Sequence, residues 1–504
     1  MDMSGGPIQK VIKTETAARQ LGSPYDNRTK AGRIELTYNE HLKKGPEETT
    51  AAAFGGEGCD VELLAGVEKA ERFMHTTLTE KTKALESVLI EQAERIRQHY
   101  GLPMFSALGK PGQEKIVVCG RLRAERHPGE SAANNGIKDP KFSQKQGVCL
   151  EGSLEHSNGT IVKLDLSRVP SLSMFSGQIV VVRGVSPSGT TLVAERVWSG
   201  LPPPSAPARP AHLQSETTVV WSAAGPFTLP NDFEFKPLQD LLAEVKNATP
   251  RPPDAVILMG PFVPETHPKI SKGDVVLDFD GEKYEASFNE LFHLKIATLL
   301  SEFVAQTGCK TRFLLTPSVE DVHHACVYPQ PPFKASLFES EDGADLTHNG
   351  QIVNLPNPAL VRVGNAVVGI NTTDLPVHMI RSGDLHRWSG TGSRPHRFER
   401  FAAHLLEQRS FYPMHPADDS VPLDLSFAAD LEIPYEPNVI LTRSNLSYFA
   451  KRAKDTLFVN SGMLARHGTG GTYAKIVVHP PVKSEDTTTE KSILNRIRVD
   501  VVRI

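Results

Sequence analysis

Cysteine is scarce in this 504-residue chain. Its five residues (Cys59, Cys119, Cys149, Cys309 and Cys326) lie far apart and form no CxxC pair. That spacing excludes a CxxC zinc ribbon and a disulfide-built scaffold, and it fits a reducing compartment. Long apolar runs are lacking too. The longest, such as residues 178–185 (QIVVVRGV), are strand-sized and fall well short of the ~20 residues that span a bilayer. The first residues, MDMSGGPIQK, have no apolar signal-peptide core. A soluble, intracellular chain with no membrane partner is expected. An excess of one charge is also absent. With 55 basic and 59 acidic side chains the net charge is −4, which excludes a uniformly basic nucleic-acid coat and leaves a local basic patch open. The GxxxxGK[ST], GxSxG and HExxH templates do not occur. Residues 468–472 (GTGGT) are glycine-rich but lack the P-loop lysine and read as a turn. Nothing proposes the clustered carboxylates of a polymerase palm.

What is present is ordinary globular material, 39% hydrophobic and 23% charged, at a length that implies two to four domains. Residues 1–58 read as a flexible N-terminal tail with one short strand at 33–38 (RIELTY) and a minimal proline-directed phosphorylation site at Ser23-Pro24. Residues 59–102 form a helical segment. Leu78, Leu85, Leu89 and Ile96 recur at helical spacing, Gly101-Leu102-Pro103 stops the helix, and the stripe is expected to pack on a neighbouring domain. From residue 103 the period shortens. Runs at 115–122, 147–152, 160–166, 178–185 and 191–198, with an insertion at 169–175, predict a five-stranded OB barrel within residues 103–210. Residues 101–210 carry a net +5, so a single-strand DNA groove is one option. Stacking platforms are few, however: Phe105, Phe142, Phe175 and Trp198. Residues 201–210 (LPPPSAPARP) read as a stiff proline linker. Over 211–504, apolar strands (217–223, 255–259, 312–315, then 359–370, 439–441, 456–460, 472–478) alternate with helical stretches (238–246, 288–307). That pattern predicts an α/β layer architecture with a sheet buried on both faces.

At Asp321-Val322-His323-His324, followed by Val327-Tyr328-Pro329-Gln330-Pro331-Pro332-Phe333, the chain resembles the B-subunit family of DNA polymerase alpha–primase. Further blocks agree. They are Leu150-Glu151-Gly152 with Glu155-His156-Ser157, Gly225-Pro226-Phe227-Thr228, Met259-Gly260-Pro261-Phe262, Asn371-Thr372-Thr373-Asp374-Leu375, Gln408-Arg409-Ser410-Phe411-Tyr412-Pro413, Gly470-Gly471-Thr472-Tyr473-Ala474 and the terminal Val501-Val502-Arg503-Ile504. The resemblance implies an OB barrel joined to a calcineurin-like metallophosphoesterase α/β sandwich, preceded by an N-terminal helix. It also implies a helical module upstream of the linker, and this chain is expected to begin within that linker.

Active phosphoesterases of that fold hold two metal ions on DxH, GDxx[DE], GNH[DE], an isolated His and GHxH. Here the corresponding stretches are Ser222-Ala223-Ala224-Gly225-Pro226, Gly260 with Pro261 and Pro264, Pro317-Ser318-Val319-Glu320, and Thr442-Arg443-Ser444-Asn445. His415 stands alone as a surviving ligand. The sequence therefore proposes no catalytic, cofactor-binding or metal-ligating residue and no cofactor. His323 and His324, neighbours that should point to opposite faces of a strand, are read as packing or partner contacts rather than a metal site.

The implied role is that of a non-catalytic accessory subunit in the nucleus. It would tether the polymerase alpha catalytic subunit, through that subunit's C-terminal zinc-bearing domain, to the primase subunits, with DNA contact mostly indirect. The loops 225–227, 260–263 and 322–333 are expected to be exposed and free to become an interface. An active metallophosphoesterase and an OB-based single-stranded DNA-binding module are the alternatives.

Overall fold

The computed structural model describes residues 24–45, 59–67, 72–125, 142, 147–209, 216–279, 281–340, 342–481 and 492–504. Ser23, and with it the phosphorylation site, lies outside them. The β-rich runs after residue 103 close into a barrel. Its hydrogen-bonded order is Ile116–Ala124, Val148–Gly152, Ile161–Asp165, Thr191–Trp198, Ile179–Val185 and back to the first strand. The third and fourth of these run parallel, with Lys163 opposite Thr191, and every other pair is antiparallel. This is the connectivity of a five-stranded OB barrel. Alternation along the strands sends Val118, Leu122, Leu150, Val180, Val182 and Leu192 inward.

The outward residues Val117, Cys119, Ile179 and Val181, with Trp198, meet the Leu78–Tyr100 helix. That helix starts at a Thr77/Glu80 capping box and stops at Gly101 in the left-handed conformation. Its docking stripe is Leu89, Gln92, Ala93 and Ile96, the i, i+3, i+4, i+7 set of one helix face. Leu78, at the head of the expected stripe, is 82% exposed.

The remainder is a two-sheet sandwich. One sheet runs in the order Ile34–Tyr38, Ile497–Arg503, Thr472–Val478, Thr218–Ala224, Ala255–Met259, Arg312–Thr316, Ile352–Asn354. The other runs Phe449–Ala453, Thr456–Asn460, Val439–Thr442, Ala366–Asn371, Ala359–Val363, Val61–Ala65. Val220, Ile257 and Leu314 from the first sheet face Val361, Val368 and Leu441 from the second. The first sheet's other face, with Trp221, Val256 and Phe313, packs on Leu241, Leu242 and Leu300 of the covering helices. Burial on both faces explains why these strands read as unbroken apolar runs.

Two expectations change. The 24–45 part of the expected tail is built into the molecule: Ile34–Tyr38 pairs antiparallel with Ile497–Arg503, and Tyr25 is fully buried. Residues 61–65 of the expected helical segment form an edge strand paired with Ala359–Val363. A five-residue edge strand carries too little pattern to stand out from its polar surroundings.

Barrel and sandwich are directly joined. Leu172–Phe175, from the insertion, pairs antiparallel with Asp384–Arg387. At Gly177, whose φ is +94°, a Cβ would lie 2.1 Å from the His415 backbone nitrogen, so only glycine allows this approach. Gln408, at the end of the Arg397–Gln408 helix, accepts from the Ile179 N–H (2.8 Å). It donates to the carbonyls of Ile179 (2.9 Å) and Ser199 (2.6 Å), while its own carbonyl accepts from Gln92 of the long helix (2.9 Å). The proline linker is likewise tied down, with Arg409 donating to the carbonyls of Leu201 (3.1 Å) and Pro202 (2.9 Å).

Candidate functional site

Parallel strands deliver their carboxyl ends to one side of the sandwich: Thr218–Ala224, Ala255–Met259 and Arg312–Thr316 in one sheet, Ala366–Asn371 and Val439–Thr442 in the other. In open α/β architectures ligands bind at such ends. The loops that leave these strands are tied to one another by their own polar groups.

Asp321 is the centre of this network. Its side chain is fully buried. Oδ1 accepts from the backbone N–H groups of Phe262 (2.5 Å) and Val263 (2.8 Å), and Oδ2 from that of Ser318 (2.9 Å). Burial pushes its carboxyl up to about 7, against the three amides that favour the charged form. Gly260 must be glycine here, since a Cβ would lie 2.5 Å from Asp321 Oδ2. Across the sandwich, Arg443, 4% exposed, forms a two-pronged pair with Glu320, one arm at 2.7 Å. Asp374 caps the Leu375–Ser382 helix and also accepts from the Asn445 N–H (2.9 Å) and the Ser444 hydroxyl. Thr372 Oγ1 donates to the Pro317 carbonyl at 2.8 Å. Thus the residues standing where ligands were sought bond to one another.

The loops expected to be exposed are for the most part not. Gly225, Phe227 and residues 260–263 are buried, and within 322–333 only Cys326 is exposed. Interlocking of the loops, which no local pattern reveals, buries them.

His323 and His324 sit in a turn rather than a strand, so both rings reach Phe333 instead of pointing apart. His323 packs against both Phe292 (centroids 4.5 Å) and Phe333 (5.2 Å), its side chain fully buried and both ring nitrogens without a hydrogen-bond partner. Burial, then the neighbouring His324, drives its pKa down to about 3. His324 Nε2 lies 2.9 Å from the Pro331 carbonyl, an acceptor only, so that nitrogen carries the hydrogen and is no ligand. His415 is at the barrel junction, where its carbonyl accepts from Ser176 Oγ (3.2 Å). Burial, with Arg121 and Arg123 beside it, lowers its pKa to about 4. It does not join the strand-end loops. Among the described residues no group of three or more His, Cys, Asp or Glu is placed to hold a metal ion. All four aromatic residues offered as stacking platforms in the barrel region are buried.

Sequence reasoning singled out Asp321 only beside the histidines, and it missed Glu320 with Arg443, Asp374 and Gln408. Glu320, Asp374 and Gln408 sit inside or next to a block quoted for the resemblance, and Arg443 in a stretch checked for ligands, but neither discloses its partners.

Two family models match the chain. That of the DNA polymerase alpha/epsilon B-subunit covers residues 220–451, and that of the OB domain of the DNA polymerase alpha B-subunit covers residues 83–200. Among curated proteins, the DNA polymerase alpha B-subunit of Mus musculus is 29% identical, over 99% of this chain and 81% of the relative. The Bos taurus protein of that name is 30% identical over 75% and 57%, and that of Schizosaccharomyces pombe 28% over 73% and 60%. A solved structure described as a putative 5'-nucleotidase from Staphylococcus aureus matches at 13% identity over 56% of this chain and 57% of that one. Its TM-score is 0.21, too low to carry an argument.

Proposed function

We propose, from the premise that the chain belongs to the B-subunit family of DNA polymerase alpha, that it is the non-catalytic accessory subunit of a polymerase alpha–primase assembly. It tethers the polymerase catalytic subunit, through that subunit's C-terminal zinc-bearing domain, to primase, and it works in the nucleus. No helix among the described residues is long and apolar enough to cross a membrane.

The observation that supports a scaffold over a hydrolase is the strand-end network. A two-metal phosphoesterase needs carboxylate, amide and imidazole groups free to face two cations. Here Asp321 is committed to three backbone amides and Arg443 to Glu320. The same ties make the loops stiff, which suits a subunit whose product is geometry. Docking of barrel, helix and sandwich through Gln408 extends that stiffness over the described body.

Affinity purification of the tagged chain from its native cells tests the assembly: the polymerase catalytic subunit and both primase subunits should co-elute in stoichiometric amounts. Loss of all three at physiological salt overturns the reading. A parallel assay with p-nitrophenyl phosphate and Mn²⁺ should give no hydrolysis above buffer. Turnover that requires Mn²⁺ would restore the phosphoesterase.

A further inference from the structure

A cavity of about 440 Å³ opens where the barrel insertion, the Asp384–Arg387 strand with its following loop, the Arg397–Gln408 helix and residues 452–454 meet. That size suits a small organic ligand. None of the strand-end residues described above lines it.

Arg400 and His404, one turn apart on the helix, form one wall and are 8% and 2% exposed. Arg400 donates to the Pro395 carbonyl (3.1 Å) and pairs with Asp384, yet its Nε has no partner. His404 Nε2 lies 3.0 Å from Ser173 Oγ, yet its Nδ1 has none. A buried polar atom left unpaired costs about 1–3 kcal/mol, and both nitrogens lie behind the wall rather than on its surface. Arg387, Arg452 and Lys454 add positive charge to the lining. The two carboxylates of the lining are already engaged: Glu407 by Ser199 Oγ (2.7 Å) and Lys454 (3.0 Å), Glu399 by the His396 N–H (2.8 Å). The positive field is felt by His386, whose pKa is lowered by burial and then by Arg400 and Arg394.

The remaining wall is apolar and flat. Trp388 is 43% exposed, its indole N–H fixed on the Gly392 carbonyl (3.2 Å), beside Leu172, Met174 and Ala403. A bare inorganic anion leaves that wall uncovered, whereas a charged group linked to an aromatic base covers both surfaces.

We propose that this cavity binds a nucleoside phosphate, its phosphate against Arg452 and Lys454 and its base against Trp388. Two sources carry that chemistry, a free nucleotide and the terminal nucleotide of a single strand, and the inference holds whether or not the chain acts as a scaffold.

The test uses the full-length chain with ATP and, separately, a 5'-phosphorylated oligothymidylate. Of the three tryptophans, Trp198 and Trp221 are buried, so quenching of intrinsic fluorescence reports on Trp388, and equilibrium dialysis gives an independent constant. Saturable ATP binding is expected, weakened about tenfold or more by Arg452→Glu and by Trp388→Ala, each with an unchanged melting temperature. Arg452 is about half exposed, so its replacement leaves the fold intact. Binding of the oligonucleotide alone, weakened by both variants, supports the site and assigns the source to a strand end. Failure of both probes to saturate at millimolar concentration overturns the proposal, as does binding that both variants leave unchanged.

Discussion

At the scale of single residues, Asp321 and His323 hold the strand-end loops by opposite means. Asp321 accepts three backbone N–H groups from two loops. Asp321→Ala strands all three donors in a buried site, at about 1–3 kcal/mol each. Chemical denaturation should show a loss of at least ~3 kcal/mol, with Asp321→Asn intermediate; an alanine variant as stable as wild type removes Asp321 from this role. His323 contributes an aromatic surface and two nitrogens with no partner. Its folded-state pKa, lowered to about 3 from 6.5, means the unfolded chain takes up the proton first. The stability it contributes is therefore present above 6.5 and lost as pH falls from there towards 3, by about 2 kcal/mol at pH ~5. His323→Phe keeps the stack and removes the proton uptake. Its melting temperature should rise relative to wild type, by a margin that widens from pH 7 to pH 5. A margin that stays constant or narrows shows that His323 is not held neutral.

Among elements, the least legible piece was also the most consequential. The barrel strands, the α/β alternation and the main helix could be read from period and turn residues, because burial on one face or two writes itself into every second or fourth position. The joint between them could not. Gln408 reads as the polar end of an amphipathic helix, and nothing local announces that its amide satisfies Ile179 and Ser199 more than 200 residues away. The same holds for the strand-end loops: the absence of ligands was visible, and the bonds that replaced them were not, since each joins segments far apart in the chain. Gln408→Leu should separate the elements without emptying a core. It leaves the Ile179 N–H and two carbonyls unpaired at a cost of about 3 kcal/mol or more, and exchange protection should fall at Ile179 and along the Leu78–Tyr100 helix before the sandwich core opens. Uniform loss of protection, with no difference between joint and core, contradicts a local role.

For the whole molecule, the question is what closes the first sheet. Read as a sequence, residues 24–45 are polar and almost without period; folded, they cover the edge of the C-terminal strand. Leu36 and Val501, Thr37 and Asp500, Tyr38 and Val499 stand opposite each other. Thr37 Oγ1 donates to Asp500 Oδ1 (2.7 Å), Asn39 Nδ2 to the carbonyls of Leu494 and Ile497 (2.7 and 2.8 Å), and Arg498 to those of Glu40 and Leu42 (2.7 and 2.6 Å). Upstream, the Tyr25 hydroxyl donates to Asp240 (2.8 Å), and Arg28 reaches the Ile504 carbonyl (3.2 Å). The chain's two ends thus share one sheet edge, and an uncovered strand with the apolar pattern of Ile497–Arg503 is a template for pairing between molecules. Two truncations isolate this contribution. Deleting residues 1–23 retains every contact named here, and deleting 1–45 removes all of them. The longer deletion should melt on the order of 5 °C lower than the shorter and scatter light at concentrations where the shorter remains clear. Equal melting temperatures and equal scattering would mean that the strand only decorates the edge. If the longer truncation is the less stable and Leu36→Lys in the full chain reproduces part of that loss, the stretch that looked like a tail is the last strand of the core sheet.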